Sequence, residues 1–341
     1  MDRGRLLARF KFLRYLFPLL CLGIFAAIFL PRLSLPEVAA VLRQADRGLV
    51  LLAVLAQVGS YLGSGYMLSA MMRYGKIPLS IGRGALITMA AASLGMVAGG
   101  WVSAAVATSY WISRDAKTPG GADIAAVLPA VYNTVMLILV SFLGTVYLLL
   151  NHTLTTGQAA FYGTVMAITI VVIVIIILGL LNWERVKRLL LGLLSPAAVF
   201  FQKDALLTKA SARIDRFYEA LQPLRHGGWT KPGLGAFVNV VLDLLTLYFF
   251  FLAAGYAVKP SVLLAGYSIA FLLGKTAFFV PGGAGVIEAG MVAIYGNLGV
   301  PGSIGFIAVL GYRLLSFWIP SLLGFIVMFY FQKPPGAVTR A

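Results

Sequence analysis

The apolar run from residue 262 to 300 is interrupted at Pro281-Gly282-Gly283, and a carboxylate, Glu288, follows five residues later. The run is long enough to enter a bilayer, yet its middle cannot keep the helical hydrogen bonding that hydrocarbon demands. Each unpaired backbone amide or carbonyl at membrane depth costs several kcal/mol, so such a break persists only where protein or a watery cavity satisfies the freed groups. The sequence therefore predicts a broken element that lines a polar cavity and does not face lipid.

Further apolar runs fall at about 15–30, 49–72, 84–111, 124–150, 160–181, 234–257 and 303–331, several reaching the roughly 20 residues that a spanning helix needs. With 60% hydrophobic and 11% charged residues over 341 positions, the chain reads as an all-α polytopic membrane protein, one domain over residues 1–341. A net charge of +16 would suit nucleic acid in a soluble chain. Here most Lys and Arg lie in short loops beside apolar runs, where they set topology against anionic lipid, and no nucleic-acid partner is expected. The lone cysteine, Cys21, reads as a small packing residue. Arg3, Arg5, Arg9, Lys11 and Arg14 precede the first run as in a secretory signal, but Pro31-Arg32 follows it in place of a small-residue cleavage site. A retained first helix entered from the cytoplasm is expected.

Charge then constrains the path. Arg73, Lys76 and Arg83 mark one basic loop, Arg114 and Lys117 another, and residues 182–232 a third, while Asn151 to Gln158 has no Lys or Arg. If 84–111 crossed once, the long basic loop would face outside, against the positive-inside bias. If it returns to its own side, every basic loop but 31–48 falls inside, so 84–111 is expected to be a re-entrant hairpin turning at Gly95, Gly99 and Gly100. The same parity turns 262–300 back at Pro281-Gly282-Gly283 and brings 303–331 inward, leaving both termini in the cytoplasm of a cell-membrane protein. The two broken elements then enter from opposite faces.

The halves also echo each other. Gly99-Gly100 followed by Pro119-Gly120 about nineteen residues later matches Gly282-Gly283 followed by Pro301-Gly302. Each half reads as helix, broken re-entrant element, helix, which makes an inverted repeat, and interrupted segments in matching places point to a midplane substrate site. Glycines also permit close helix packing, as Gly59-x-x-x-Gly63 and Gly95-x-x-x-Gly99 would; for Gly99 and Gly100 both readings stand.

Four ionisable residues lie within apolar runs: Asp243, Lys275, Glu288 and Arg313. Arg313 and Asp243 fall near the bilayer centre, where a charge costs about 2.5–3.5 kcal/mol on insertion scales and must pair or face a polar cavity. Arg313, with Lys275, is expected to contact an anionic lipid headgroup, because a guanidinium fork suits phosphate oxygens. Glu288 would orient the arginine or carry a coupling proton; alternatively, Glu288 and Arg313 form a structural salt bridge, and both can hold. Asp243 and Lys275 either line the cavity or make structural contacts. Trp101, Tyr110, Trp111, Tyr267, Tyr295 and Trp318 read as interfacial or packing aromatics, and His152 and His226 as surface residues. Between Lys203 and Arg225, apolar residues at helical spacing interleave with Lys209, Arg213 and Arg216; the 182–232 loop is expected to be cytoplasmic and to carry an amphipathic helix, on the membrane interface or docked on its own bundle.

Pro281-Gly282-Gly283-Ala284-Gly285-Val286-Ile287-Glu288-Ala289, then Gly299-Val300-Pro301, then Tyr312-Arg313-Leu314 in a helix with Pro320 and Gly324, resemble the C-terminal signature of the lysylphosphatidylglycerol synthase transmembrane domain family. The resemblance is specific in 274–324 and follows the helix pattern over nearly the whole chain. It implies a helical bundle with broken elements that moves lipids between leaflets, with aminoacylated phosphatidylglycerol or polyprenyl-linked lipids as substrate classes. Synthases of the family carry a soluble aminoacyl-transferase domain after the membrane region, whereas this sequence stops at Ala341, so lysyl transfer is not expected. The first broken element, Gly99-Gly100-Trp101, lacks both a preceding Pro and an acid matching Glu288.

The expected function is therefore translocation of an anionic phospholipid or lipid-linked headgroup by a chain that is not an enzyme and uses no cofactor or metal. No Walker-type phosphate loop is present. A membrane-embedded transferase on a lipid carrier is the alternative; it lacks an Asp-x-Asp pair or a His cluster to drive it. A third possibility is an accessory subunit of a separate lipid-modifying enzyme.

Overall fold

The computed structural model describes residues 45–74, 77–97, 100–115, 121–151, 154–181, 228–276 and 281–332, with isolated positions at 43, 188 and 192. The expected first helix at 15–30, nearly all of the basic loop at 182–232 with its amphipathic helix, Gly99 and Pro119-Gly120 lie outside the described residues.

The described chain is helical throughout and contains no strand: α1 (Arg47–Tyr74), α2 (Ile81–Val97), α3 (Gly100–Asp115), α4 (Gly121–Asn151), α5 (Thr156–Leu181), α6 (Thr230–Ala253), α7 (Pro260–Thr276), a short 3₁₀ turn (Pro281–Gly283), α8 (Val286–Asn297), α9 (Gly302–Arg313), a π-turn (Leu314–Trp318) and α10 (Ile319–Gln332). Among the described residues, five apolar stretches are long enough to span a bilayer: Arg47–Tyr74, Leu128–Asn151, Thr156–Val174, Thr230–Ala253 and Gly302–Met328. This is a multi-pass membrane protein. The segments expected to be broken are broken. α7 and α8 have 17 and 12 residues, about 25 and 18 Å at 1.5 Å per residue, short of the roughly 30 Å hydrocarbon core. α2 and α3 have 17 and 16 residues.

The centre of the bundle is a seam between α1 and α6, which lie against each other along their lengths. Small residues make the approach possible. A Cβ on Gly63 would meet the Asn239 backbone nitrogen at 2.8 Å, and one on Gly235 would meet that of Met67 at 2.6 Å. The Gly59-x-x-x-Gly63 spacing therefore serves packing. Asn239 stitches the seam by donating through Nδ2 to the Ser60 carbonyl at 3.0 Å and to Ser60 Oγ at 2.8 Å.

Around this seam the halves exchange helices. α4, the closing helix of the first half, packs on α7, the first arm of the second broken element; α10, closing the second half, packs on α2, the first arm of the first. Glycines mark both crossings. Gly144 accommodates Leu264 and Ala265, while Gly324 accommodates Met89 and Ser93, whose Oγ donates to the Ser321 carbonyl at 2.7 Å. Likewise α3 packs on α4 as α8 packs on α9. This reciprocity is what a two-fold relation between the repeats produces. The Pro281–Gly283 turn touches both α2 and α3, so the second break meets the arms of the first.

The last apolar run departs from the single regular helix expected of it, because a π-turn follows Arg313 directly. Pro320 supplies the reason: it has no amide to give to the Ser316 carbonyl four residues earlier, and its ring crowds that carbonyl. Tyr61 on α1 donates its hydroxyl to the Ser316 carbonyl at 2.9 Å.

Candidate functional site

α8 begins on glycines. Gly282, Gly283 and Gly285 have φ of 60°, 65° and 82°, a left-handed region that side chains disfavour. These turns aim the start of α8 so that Glu288, in its first turn, reaches back to accept the Gly285 amide through Oε2 at 2.7 Å, as an acidic residue at this place in a helix can. Its other oxygen, Oε1, accepts Arg313 Nε at 2.7 Å. Arg313 ends α9, so the ion pair ties α8 to the π-turn.

Both ions are deeply enclosed, with Glu288 1% and Arg313 2% exposed. The guanidinium lies 4.4 Å from the centroid of Phe317 and 5.8 Å from that of Phe271, a cation–π sandwich that is stronger for being desolvated. Its Nη2 has no hydrogen-bond partner. A guanidinium offers five donors, so this buried one keeps donor capacity that its ion pair with Glu288 does not use.

Beside this pair stands a second polar group. Asp243 on α6 accepts the hydroxyls of Tyr267 (α7) at 2.7 Å and Tyr312 (α9) at 2.5 Å, both on Oδ2. Gln57 and Tyr61 approach from α1. Gln57 Oε1 and Ser316 Oγ are buried and unpartnered. Carboxylates, tyrosines and the arginine thus converge from α1, α6, α7, α8 and α9.

The sequence-named residues separate on this geometry. Arg313 and Glu288 meet, and Asp243 joins through Tyr312, the residue before Arg313. Lys275, half-buried near the end of α7, makes no hydrogen bond or ion pair with any described residue. Gly282 and Gly283 are packed: a side chain on Gly282 would strike the Phe317 ring, and one on Gly283 would meet Ile287 at 2.9 Å. Phe317 thus lies against Gly282 on the side where a Cβ would point, and the same ring lies against the arginine. Gly100 opens α3. Of the aromatics expected at the interface or in packing, Tyr267, Tyr295 and Trp318 are buried as packing residues are, whereas Tyr110 is 60% exposed. Sequence reasoning missed Gln57 and Tyr61, which their four-residue spacing inside an apolar run signalled, and the hydroxyls of Tyr267 and Tyr312.

Comparison with known proteins decides the family. The model of the lysylphosphatidylglycerol synthase transmembrane region matches residues 13–324. The chain belongs to that family. Among curated relatives, a UPF0104 membrane protein of Methanocaldococcus jannaschii is 26% identical over 129 residues, 37% of this chain and 38% of that one. A UPF0104 membrane protein of Methanothermobacter thermautotrophicus is 30% identical over 96 residues, 28% of each. The matched stretches thus span well under half of either relative. Membership corrects one expectation: the family is described by a synthase, an enzyme, so the reading of this chain as a non-enzyme does not stand.

Proposed function

We propose that this member of the lysylphosphatidylglycerol synthase transmembrane family moves an anionic phospholipid, or a polyprenyl-linked lipid, between the leaflets of the cell membrane, with Arg313 as the headgroup contact. The observation that carries the reading is the free Nη2 of an arginine 2% exposed. Glu288 holds the guanidinium by Nε, which leaves Nη2 for a phosphate oxygen, where charge-assisted bonds are strongest. The pair is thus both structural and functional: the salt bridge orients, and the remaining nitrogen binds. Breaks in matching places of two halves fit midplane binding in transporters. In this reading both broken elements are re-entrant and enter from opposite faces, with the termini in the cytoplasm. Asp243, Pro281, Gly282, Gly283, Gly99 and Gly100 shape the site, and Lys275 provides a second cation at its edge.

The test is reconstitution of the purified protein in liposomes containing a labelled anionic phospholipid, compared with empty vesicles and with Arg313→Lys. Lysine keeps the charge but loses the fork, so movement should fall about tenfold while the protein stays folded. Wild-type movement no faster than in empty vesicles, across several headgroups, sinks the proposal; near-normal movement by the lysine variant removes bidentate recognition. The family's description favours a second reading, in which this membrane region presents a lipid to a transferase step in the same or a separate synthase. Turnover of an activated donor by the purified protein, without transbilayer movement, would select it.

A further inference from the structure

Asp243 sits 13 residues after the start of α6, about 20 Å along it. Its direction follows from helical spacing. Leu234, Phe237 and Leu245 form the exposed stripe of α6, whereas Ala236, Val240 and Leu247 are buried. Asp243 stands three residues after Val240 and four before Leu247, on the buried stripe. It is nevertheless only partly buried. Its residual exposure therefore opens onto space inside the bundle, not onto lipid.

The groups facing that carboxylate are Gln57 and Tyr61 from α1, Tyr267 from α7, and Tyr312 and Arg313 from α9. Among the described residues no cation lies at salt-bridge distance from it, because Arg313 gives its Nε to Glu288. A mid-membrane carboxylate without a counter-ion, bonded only by neutral groups, carries a charge that a proton can remove without breaking an ion pair.

We infer that Asp243, positioned by Tyr267 and Tyr312, is a proton-binding site coupled to anion binding at Arg313. The inference rests on the proposed headgroup contact and adds its driving ion. The step is a simple one: water in the internal space delivers a proton, an O–H bond forms on the Asp243 carboxylate, and no other bond is made or broken. With Asp243 ionised, Arg313, Glu288 and Asp243 sum to one negative charge; with Asp243 protonated they sum to zero. An arriving phosphate meets less repulsion in the protonated state, so proton and anionic headgroup bind with positive linkage, and each raises the affinity of the other equally. At an effective interior dielectric near 20, removing a neighbouring unit charge changes anion affinity by about tenfold.

The full chain is reconstituted in phosphatidylcholine vesicles carrying fluorescent phosphatidylglycerol, and initial movement is followed from about pH 8 to about pH 5.5. The wild type should speed up about tenfold toward acid, equally in Na⁺ and K⁺ media, while Asp243→Asn should run at one rate across the range. In parallel, infrared difference spectra of the protein in detergent should show a protonated-carboxyl band at acid pH that Asp243→Asn lacks. Tyr312→Phe, which keeps the packing and removes one hydroxyl, should shift the midpoint of both readouts and serves if Asp243→Asn fails to fold. An Asp243→Asn profile that keeps the wild-type pH dependence, a Tyr312→Phe midpoint that does not move, or a rate that follows Na⁺ at fixed pH overturns the inference. If no lipid moves at any pH but the Asp243 band is present, the proton site stands and the transport reading fails.

Discussion

The Glu288–Arg313 pair makes an asymmetric prediction about stability. In Glu288→Ala the guanidinium loses its Nε partner and keeps its charge, because arginine does not deprotonate in proteins. At 2% exposure it has no water to replace that partner. Breaking a buried pair in this way costs about 3–5 kcal/mol, and losing the acceptor for the Gly285 amide adds about 1 kcal/mol. In Arg313→Ala the remaining carboxylate still holds the Gly285 amide and can take up a proton, so the cost should be smaller, about 2–4 kcal/mol. The double alanine variant leaves no buried charge, and its loss should fall short of the summed singles by about 2 kcal/mol or more. The assay is reversible unfolding in mixed micelles by SDS titration, read by tryptophan fluorescence, with Glu288→Gln as the shape-conserving control. Single losses that add to within about 0.5 kcal/mol, or an arginine truncation costlier than the glutamate one, would refute the reasoning.

Three further variants probe the packing, two of them in the same unfolding assay. Gly282→Ala should cost about 1–2 kcal/mol for a left-handed alanine and more for its collision with Phe317; Phe317→Leu in the same chain should recover only the second part. Gly235→Val should pry α6 from α1, since even a Cβ would meet the Met67 backbone at 2.6 Å, and loss of the monodisperse peak in detergent gel filtration checks it. Tyr61→Phe should cost about 1 kcal/mol by leaving the Ser316 carbonyl without its donor, and an unchanged unfolding midpoint would mean that another group had replaced it.

What the sequence disclosed and what it hid divide along a physical line. Proline and glycine act on their own backbone, so the break near Pro281 and the gap between α2 and α3 could be located without a structure. Charges in apolar runs are conspicuous because hydrocarbon excludes them, which is why Arg313, Glu288 and Asp243 stood out. Partnership is different. Tyr61 and Ser316 are 255 positions apart, and nothing local in either marks the other. Tyr267 reads from sequence as an interfacial or packing aromatic, and neither reading names the carboxylate that its buried hydroxyl bonds. The filling of the Gly282 turn by Phe317 was likewise beyond reach, since the π-turn that brings Phe317 there depends on Pro320 acting within a helix that otherwise reads as regular.

The halves echo each other in helix packing, and the chemistry does not share the echo. Matching Gly99-Gly100 to Gly282-Gly283 sets Ala105 opposite Glu288 and Ser60 opposite Asp243, and matching Pro119-Gly120 to Pro301-Gly302 sets Val131 opposite Arg313. The first half thus reproduces the helices and the break without any of the three charges. It answers with uncharged side chains: Ser60 spends its hydroxyl and carbonyl on Asn239 in the central seam, where an ionised residue would have had to find a counter-charge. In the proposed transport reading the consequence is that the halves cannot take turns at holding the headgroup. One arginine must serve the lipid from both leaflets, and the arms α2 and α3, which meet the Pro281 turn, belong to the half that brings none of the three charges.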